Sequence, residues 1–123
     1  MPVFGGKIRC GTKDASGGWN WASIKTVLGD AAIHPGTINV GLDDYDNFCF
    51  IGDIPFPDHK RPDGRREGLQ FQRCRLRVGN VESDAYIAKT TRDYWGERKT
   101  IEVIAPFIDG AMNEAQAEII ISN

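Results

Sequence analysis

Two short runs in which polar and apolar residues alternate hold the side chains best suited to chemistry. In His34-Pro35-Gly36-Thr37-Ile38-Asn39-Val40, Pro35 and Gly36 form a tight bend, and Thr37 and Asn39 then alternate with Ile38 and Val40. An extended chain turns successive side chains to opposite faces, so a hydroxyl and an amide share one face while two aliphatic groups anchor the other. That arrangement suits a small ligand or a hard metal ion. The plainer reading of the same residues is a Pro-Gly turn followed by two solvated side chains. In Thr100-Ile101-Glu102-Val103-Ile104-Ala105-Pro106, Glu102 is the polar exception. A half-buried carboxylate there can accept hydrogen bonds from a ligand amide, whereas an ordinary strand would simply turn it to water.

A third feature is the polar, Gly-rich stretch 11–18. Its glycines, Gly17 and Gly18 among them, let the backbone approach a phosphate closely and present N–H groups to it. Trp19 and Trp21 stand beside it, placed either to stack on a flat ring or to fill the core beneath a flexible loop.

Several chemistries lack their residues. His34 and His59 are far apart, and neither belongs to an H-E-x-x-H pattern or a Cys/His cluster. There is no G-x-S-x-G elbow, no G-x-x-x-x-G-K-[ST] phosphate loop and no strand-linked G-x-G-x-x-G. Hydrolase triads and zinc sites have little support. The formal net charge of −2 argues against a general attraction to polyanions. Basic residues are nevertheless clustered: Lys60, Arg61, Arg65, Arg66, Arg73, Arg75 and Arg77 supply 7 of the 15. A solvated loop and one exposed strand face account for such a cluster, with a phosphate-facing patch as the alternative.

These residues need elements to position them. At 123 residues the chain fits a single domain, residues 1–123, large enough for a core without staples. Alternation and turn signals predict strands over 3–10, 37–42, 69–78, 81–88, 100–105 and 118–122. A short helix over 21–28 is stopped by Gly29. In the strand over 69–78, Cys74, Leu76 and Val78 face one way and Arg73, Arg75 and Arg77 the other. Gly79-Asn80 turns that strand into its hairpin partner. The stretch 43–67 reads mostly as loop: 48–51 offers a short piece for local pairing, and Ile54-Pro55-Phe56-Pro57 cannot donate fully to a ladder. About six short strands with one or two short helices suggest a mainly β protein, a small barrel, with a split α+β sheet as the alternative.

No apolar run approaches the roughly 20 residues of a membrane helix, and the N-terminus lacks the pattern of a secretory signal. Cys10, Cys49 and Cys74 form neither a metal pair nor a disulfide framework, so buried thiols in a reducing cytoplasm are expected.

Taken together, these pieces resemble the CTP-dependent riboflavin kinase family, small cradle-loop barrels best known from archaea. Pro35-Gly36-Thr37-Ile38-Asn39-Val40 is similar to the family's P-G-T-L-N-V signature, and Ile101-Glu102-Val103-Ile104-Ala105-Pro106 to its I-E-I-I-A-P segment. The order also agrees: a Gly-rich loop, a helix ending in Leu28-Gly29, the signature, a hairpin at Gly79-Asn80, then the Glu-bearing strand. The resemblance spans roughly residues 5–121, as a divergent member. The chain differs at Ser16-Gly17-Gly18-Trp19 and after Ala105-Pro106, where Asp109 stands in place of a basic residue. The resemblance implies a six-stranded cradle-loop barrel that transfers a phosphoryl group from CTP to riboflavin, giving FMN. It places Mg²⁺ on Thr37 and Asn39, the flavin on Glu102 and Thr91 (or Thr90), and the nucleotide against Gly17, Gly18 and Gly36. Two alternatives remain. One is a non-catalytic barrel that binds a flavin or nucleotide. The other is a nucleic-acid or protein-interaction module using the Arg73/Arg75/Arg77 face, which the acidic balance disfavours.

Overall fold

The structure, a computed structural model, describes residues 2–9, 18–90 and 99–121. Among them are seven strands and one α-helix: β1 (Val3–Ile8), α1 (Trp21–Val27), β2 (Ile38–Leu42), β3 (Ile54–Lys60), β4 (Arg66–Val78), β5 (Val81–Thr90), β6 (Thr100–Ile104) and β7 (Gln116–Ile120). All pairings are antiparallel, in the order β3-β4-β5-β6-β2-β1-β7. A further pairing of β7 with the last residues of β4, Arg75↔Ile120 to Val78↔Ala117, closes six of the strands into a ring. The mainly β expectation holds, and the split sheet does not form.

Alternation along the strands creates two cores. Even-numbered residues of β2 and β4 and odd-numbered residues of β5 and β6 point into the ring, where Val40, Leu42, Cys74, Leu76, Val78, Ala85, Ile87, Ile101 and Val103 meet Ile8 and Ile119. The opposite residues of β4, β5 and β6 would otherwise face water. Instead Leu69, Phe71, Tyr86, Ala88 and Ile104 form a second cluster with Trp19, Ile24 and Leu28. A two-turn helix is marginal by itself, and α1 persists because Ile24 and Leu28 are buried on this outer face. Asn20 caps its start, its side-chain oxygen accepting from the Ser23 N–H at 3.2 Å. At its end the Gly29 N–H donates to Thr26 O and the Asp30 N–H to Lys25 O. Those two bonds form a Schellman stop, with Gly29 at φ +73°.

Three differences from the sequence-based expectation concern the region before β4. There are seven strands rather than six, because β3 forms despite Pro55 and Pro57. It is the edge strand of the sheet, paired with β4 alone, and the register shifts between Phe56 and His59. An edge and an irregularity are the places where a missing N–H costs least. Conversely, residues 48–51 are not a strand; they follow a 3-10 turn at Tyr45–Asn47, and Phe48 and Phe50 pack against the ring's core. Finally, β4 starts at Arg66 and β5 runs on to Thr90, because pairing with β3 extends the hairpin beyond its alternating centre. The Val78↔Val81 pair leaves only Gly79 and Asn80 in the turn, with Gly79 at φ +59°.

Candidate functional site

One row of residues runs across the outer face. Register aligns Asn39 on β2 with Glu102 on β6, Glu102 with Ala88 on β5, Ala88 with Phe71 on β4, and Phe71 with Ile54 on β3. The row is apolar at one end and carries an amide and a carboxyl at the other. Directly opposed side chains on paired strands lie close enough to act together, so Asn39 and Glu102 form one polar pair. The Asn39 Oδ1 is buried with no hydrogen-bond partner among the described residues. Burial pushes Glu102 up to about 7, and the Glu67 carboxylate adds to the rise. Glu102 has no ion-pair partner among the described residues.

Glu67 belongs to a second polar group that motif reading missed. His59 on β3 is fully buried, and its Nε2 accepts from the Asn20 backbone N–H at 3.0 Å. That bond leaves the proton of the neutral ring on Nδ1, which lies 3.7 Å from Glu67 Oε1. Burial holds His59 below its ordinary value; Arg61 lowers it further, while Glu67 acts in the opposite direction. Arg61 Nη1 lies 3.7 Å from Glu67 Oε2, and the Arg61 side chain occupies the space beside Gly18 that a Cβ would need. The only sequence signal was His59 and Glu67 flanking a turn, and it was lost because 43–67 read as loop.

A groove of about 240 Å³ opens between segments 34–38 and 105–108, with Ala111 at its side. These are the ends of the two motifs. The His34 N–H donates to Ala105 O at 2.8 Å, tying the segments together. The His34 and Phe107 rings meet edge to face at 5.4 Å. Gly36, at φ +123°, occupies a backbone region that favours glycine.

The expected site residues therefore fall into separate places. Asn39 and Glu102 come together. Gly36 and Thr37 line the groove, whose lining includes neither Asn39 nor Glu102. Gly18 stands against Arg61. Gly17 and Thr91 lie outside the described residues, as does Cys10. Trp19 is 2% exposed and belongs to the core, so it is no open stacking platform. On the basic strand face, Arg75 pairs with Glu82 and Asp84, and Arg77 with Glu118, at 2.6–2.8 Å, while the Arg73 guanidinium lies 5.9 Å from the Tyr86 ring centre. Cys49 is exposed, against the expectation of a buried thiol, because segment 48–51 is not part of the sheet; Cys74 is buried as expected. No group of three or more His, Cys, Asp or Glu among the described residues could hold a metal. No helix among them is long and apolar enough to cross a membrane.

Fold and site together define a closed antiparallel ring with a half-buried amide–carboxyl pair on its outer face and a small groove between its two motif ends. No protein-family model matches the chain, and no characterised protein matches it significantly.

Proposed function

We propose that this protein is a riboflavin-kinase-like barrel of the cradle-loop type that binds a flavin at Glu102, holds Mg²⁺ at Asn39 beside it and transfers a phosphoryl group from CTP to the riboflavin 5′-hydroxyl, giving FMN. The observation that supports this reading is the direct opposition of Asn39 and Glu102, each from a different motif, across β2 and β6. Phosphoryl transfer demands positioning and charge neutralisation rather than a covalent nucleophile, a demand that the opposed Asn39 amide and Glu102 carboxyl suit, with the Thr37 hydroxyl standing apart from them in the groove. Mg²⁺ suits the donor set: it takes hard oxygens, keeps several waters and needs few protein ligands. The unpartnered Asn39 Oδ1 is such an oxygen, and Thr37 would supply the second. When bound, the ion would offset the negative charge of the nucleotide phosphates. Glu102, between Asn39 and the small Ala88, orients the flavin through its carboxyl group.

The test is incubation of purified protein with riboflavin, Mg²⁺ and CTP or ATP, with FMN followed by chromatography. FMN should form and should fall to background in Thr37→Ala and Asn39→Ala. Wild-type turnover indistinguishable from that of Thr37→Ala would sink the kinase reading. A second reading is a binding protein without turnover. It is favoured by the groove, whose lining contains no Lys or Arg, with Asp109 close by. Thermal stabilisation by riboflavin without FMN formation would select it.

A further inference from the structure

We propose that His59 is an acid-sensitive latch: when neutral it holds the segment leading into α1 against β3, and when protonated it turns to Glu67 and releases that segment. The device belongs to the fold around the site and is independent of which ligand the protein takes. The ring stands between two partners of opposite demand. Its Nε2 accepts from the Asn20 N–H at 3.0 Å, whereas Nδ1 lies 3.7 Å from Glu67 Oε1, too far for a direct hydrogen bond. The Asn20 N–H needs a lone pair, which the neutral ring offers and the imidazolium does not. The Glu67 carboxylate attracts the imidazolium instead. One proton therefore reverses the preference: it sets an N–H on Nε2 facing the Asn20 N–H, and it draws the ring toward Glu67. His59 is 0% exposed, so bulk water does not replace either partner.

The charged groups around the ring are few. Glu67 opposes His59 directly in the β3–β4 register and favours the charged form. Arg61, two residues along β3, opposes it. Arg61 also lies 3.7 Å from Glu67 Oε2 and 3.5 Å from Asp63 Oδ2, so it keeps a carboxylate when Glu67 turns to the imidazolium. Asp58 and Lys60, the chain neighbours of His59, are exposed. Beyond Glu67 stands Glu102 on β6, which the Glu67 charge reaches. Residues 18–20 carry no titratable side chain, and α1 has no acid in its first turn and Lys25 in its last. The Phe56 ring meets His59 edge to face at 5.2 Å. Burial outweighs these charges, so the switch falls below the ordinary histidine value of 6.5. What it releases is the start of α1, where the Ser23 and Ile24 N–H groups donate to Asn20. Burial of Ile24 and Leu28 keeps the rest of the helix on the sheet. The released turn is the part that brings Gly18 against Arg61.

An NMR titration of the full chain from pH 8 to pH 4 tests the latch. At pH 8 the ring should be the Nδ1–H tautomer. As pH falls, the ring and the amides of Asn20, Ser23 and Ile24 should shift with one shared midpoint below 6.5, while Leu28, Ile87 and Val103 keep their amide protection. Glu67→Gln removes the charge to which the imidazolium turns and should move that midpoint to lower pH. His59→Gln retains an acceptor for the Asn20 N–H without a titrating group, and should leave the Asn20 amide unresponsive over the same range. An Nε2–H tautomer at pH 8, a ring that stays neutral down to pH 4, or an Asn20 amide that does not follow the ring would each overturn the proposal. So would an unmoved midpoint in Glu67→Gln, a pH-responsive Asn20 amide in His59→Gln, or loss of protection at Ile87 and Val103 at the same midpoint, which is global unfolding. If His59→Gln does not fold, the wild-type titration and Glu67→Gln decide.

Discussion

Glu102 shows how one side chain links site and stability. Its carboxyl ordinarily titrates near 4.5, and burial with Glu67 nearby raises it to about 7. Folding therefore favours the protonated form. The stabilising contribution is complete below about pH 4.5 and disappears as pH rises through 7, on the order of 3 kcal/mol in all. Glu102→Gln should flatten this part of the pH–stability curve, as urea midpoints between pH 4.5 and 8 would show; an unchanged slope would mean that Glu102 is not buried as described. His59 works with the opposite sign. Its value is lowered by burial, so its contribution is present above 6.5 and lost as pH falls. Cys74 and Cys49 make a further contrast: burial pushes Cys74 up to about 12, while Cys49 is exposed. Iodoacetamide should modify Cys49 in the native protein and Cys74 only after unfolding, by mass mapping. Glu102 was recognisable in the sequence as a polar interruption. Glu67 was not, because its importance lies in a through-space effect on a strand distant in the chain.

At the scale of elements, the join between β3 and α1 depends on two side chains. Asn20 caps the helix and, through its backbone N–H, donates to the buried His59. Asn20→Ala removes only the cap and should cost about 1 kcal/mol. His59→Ala strands the Asn20 N–H and leaves a cavity, and should cost about 2–4 kcal/mol. Chemical denaturation of the two variants should rank them in that order. The centre of the β4–β5 hairpin was legible, because the alternation of Arg73 to Val78 and the Gly79-Asn80 turn fix one register; its outer ends at Arg66 and Thr90 were not. The helix was legible for the same reason, in its spacing and its Gly29 stop. By contrast, β3 was hidden. Two prolines contradict a central strand, and only its edge position with a register shift makes them acceptable.

For the whole molecule, closure is the decisive event. The β4–β7 pairing joins two strands far apart in the chain and buries Ile119 inside the ring. Ile119→Ala should cost about 2–5 kcal/mol. Arg77→Ala, which removes a half-exposed pair with Glu118 across the same seam, should cost at most about 1 kcal/mol. Equal losses from the two would mean that charge rather than burial holds the seam. Close approach is the second requirement. Any Cβ at Gly6 would run into the Gly41 carbonyl of the neighbouring strand, so Gly6→Ala should lower the Tm through forced separation of β1 and β2.

Local pattern alone determined the hairpin, the short helix, the inward set Cys74, Leu76 and Val78, and the polar faces bearing Asn39 and Glu102. Each depends on periodicity and turn chemistry, which are properties of neighbouring residues. Tertiary structure decided the rest. It paired Asn39 with Glu102, drew Thr37 into a groove with Phe107, enclosed Trp19 in the core, bound Arg75 and Arg77 to acids, and made a strand of a proline-rich stretch. Those outcomes depend on which strands become neighbours, and that is settled by burying apolar faces on both sides of one sheet rather than by any short run of sequence.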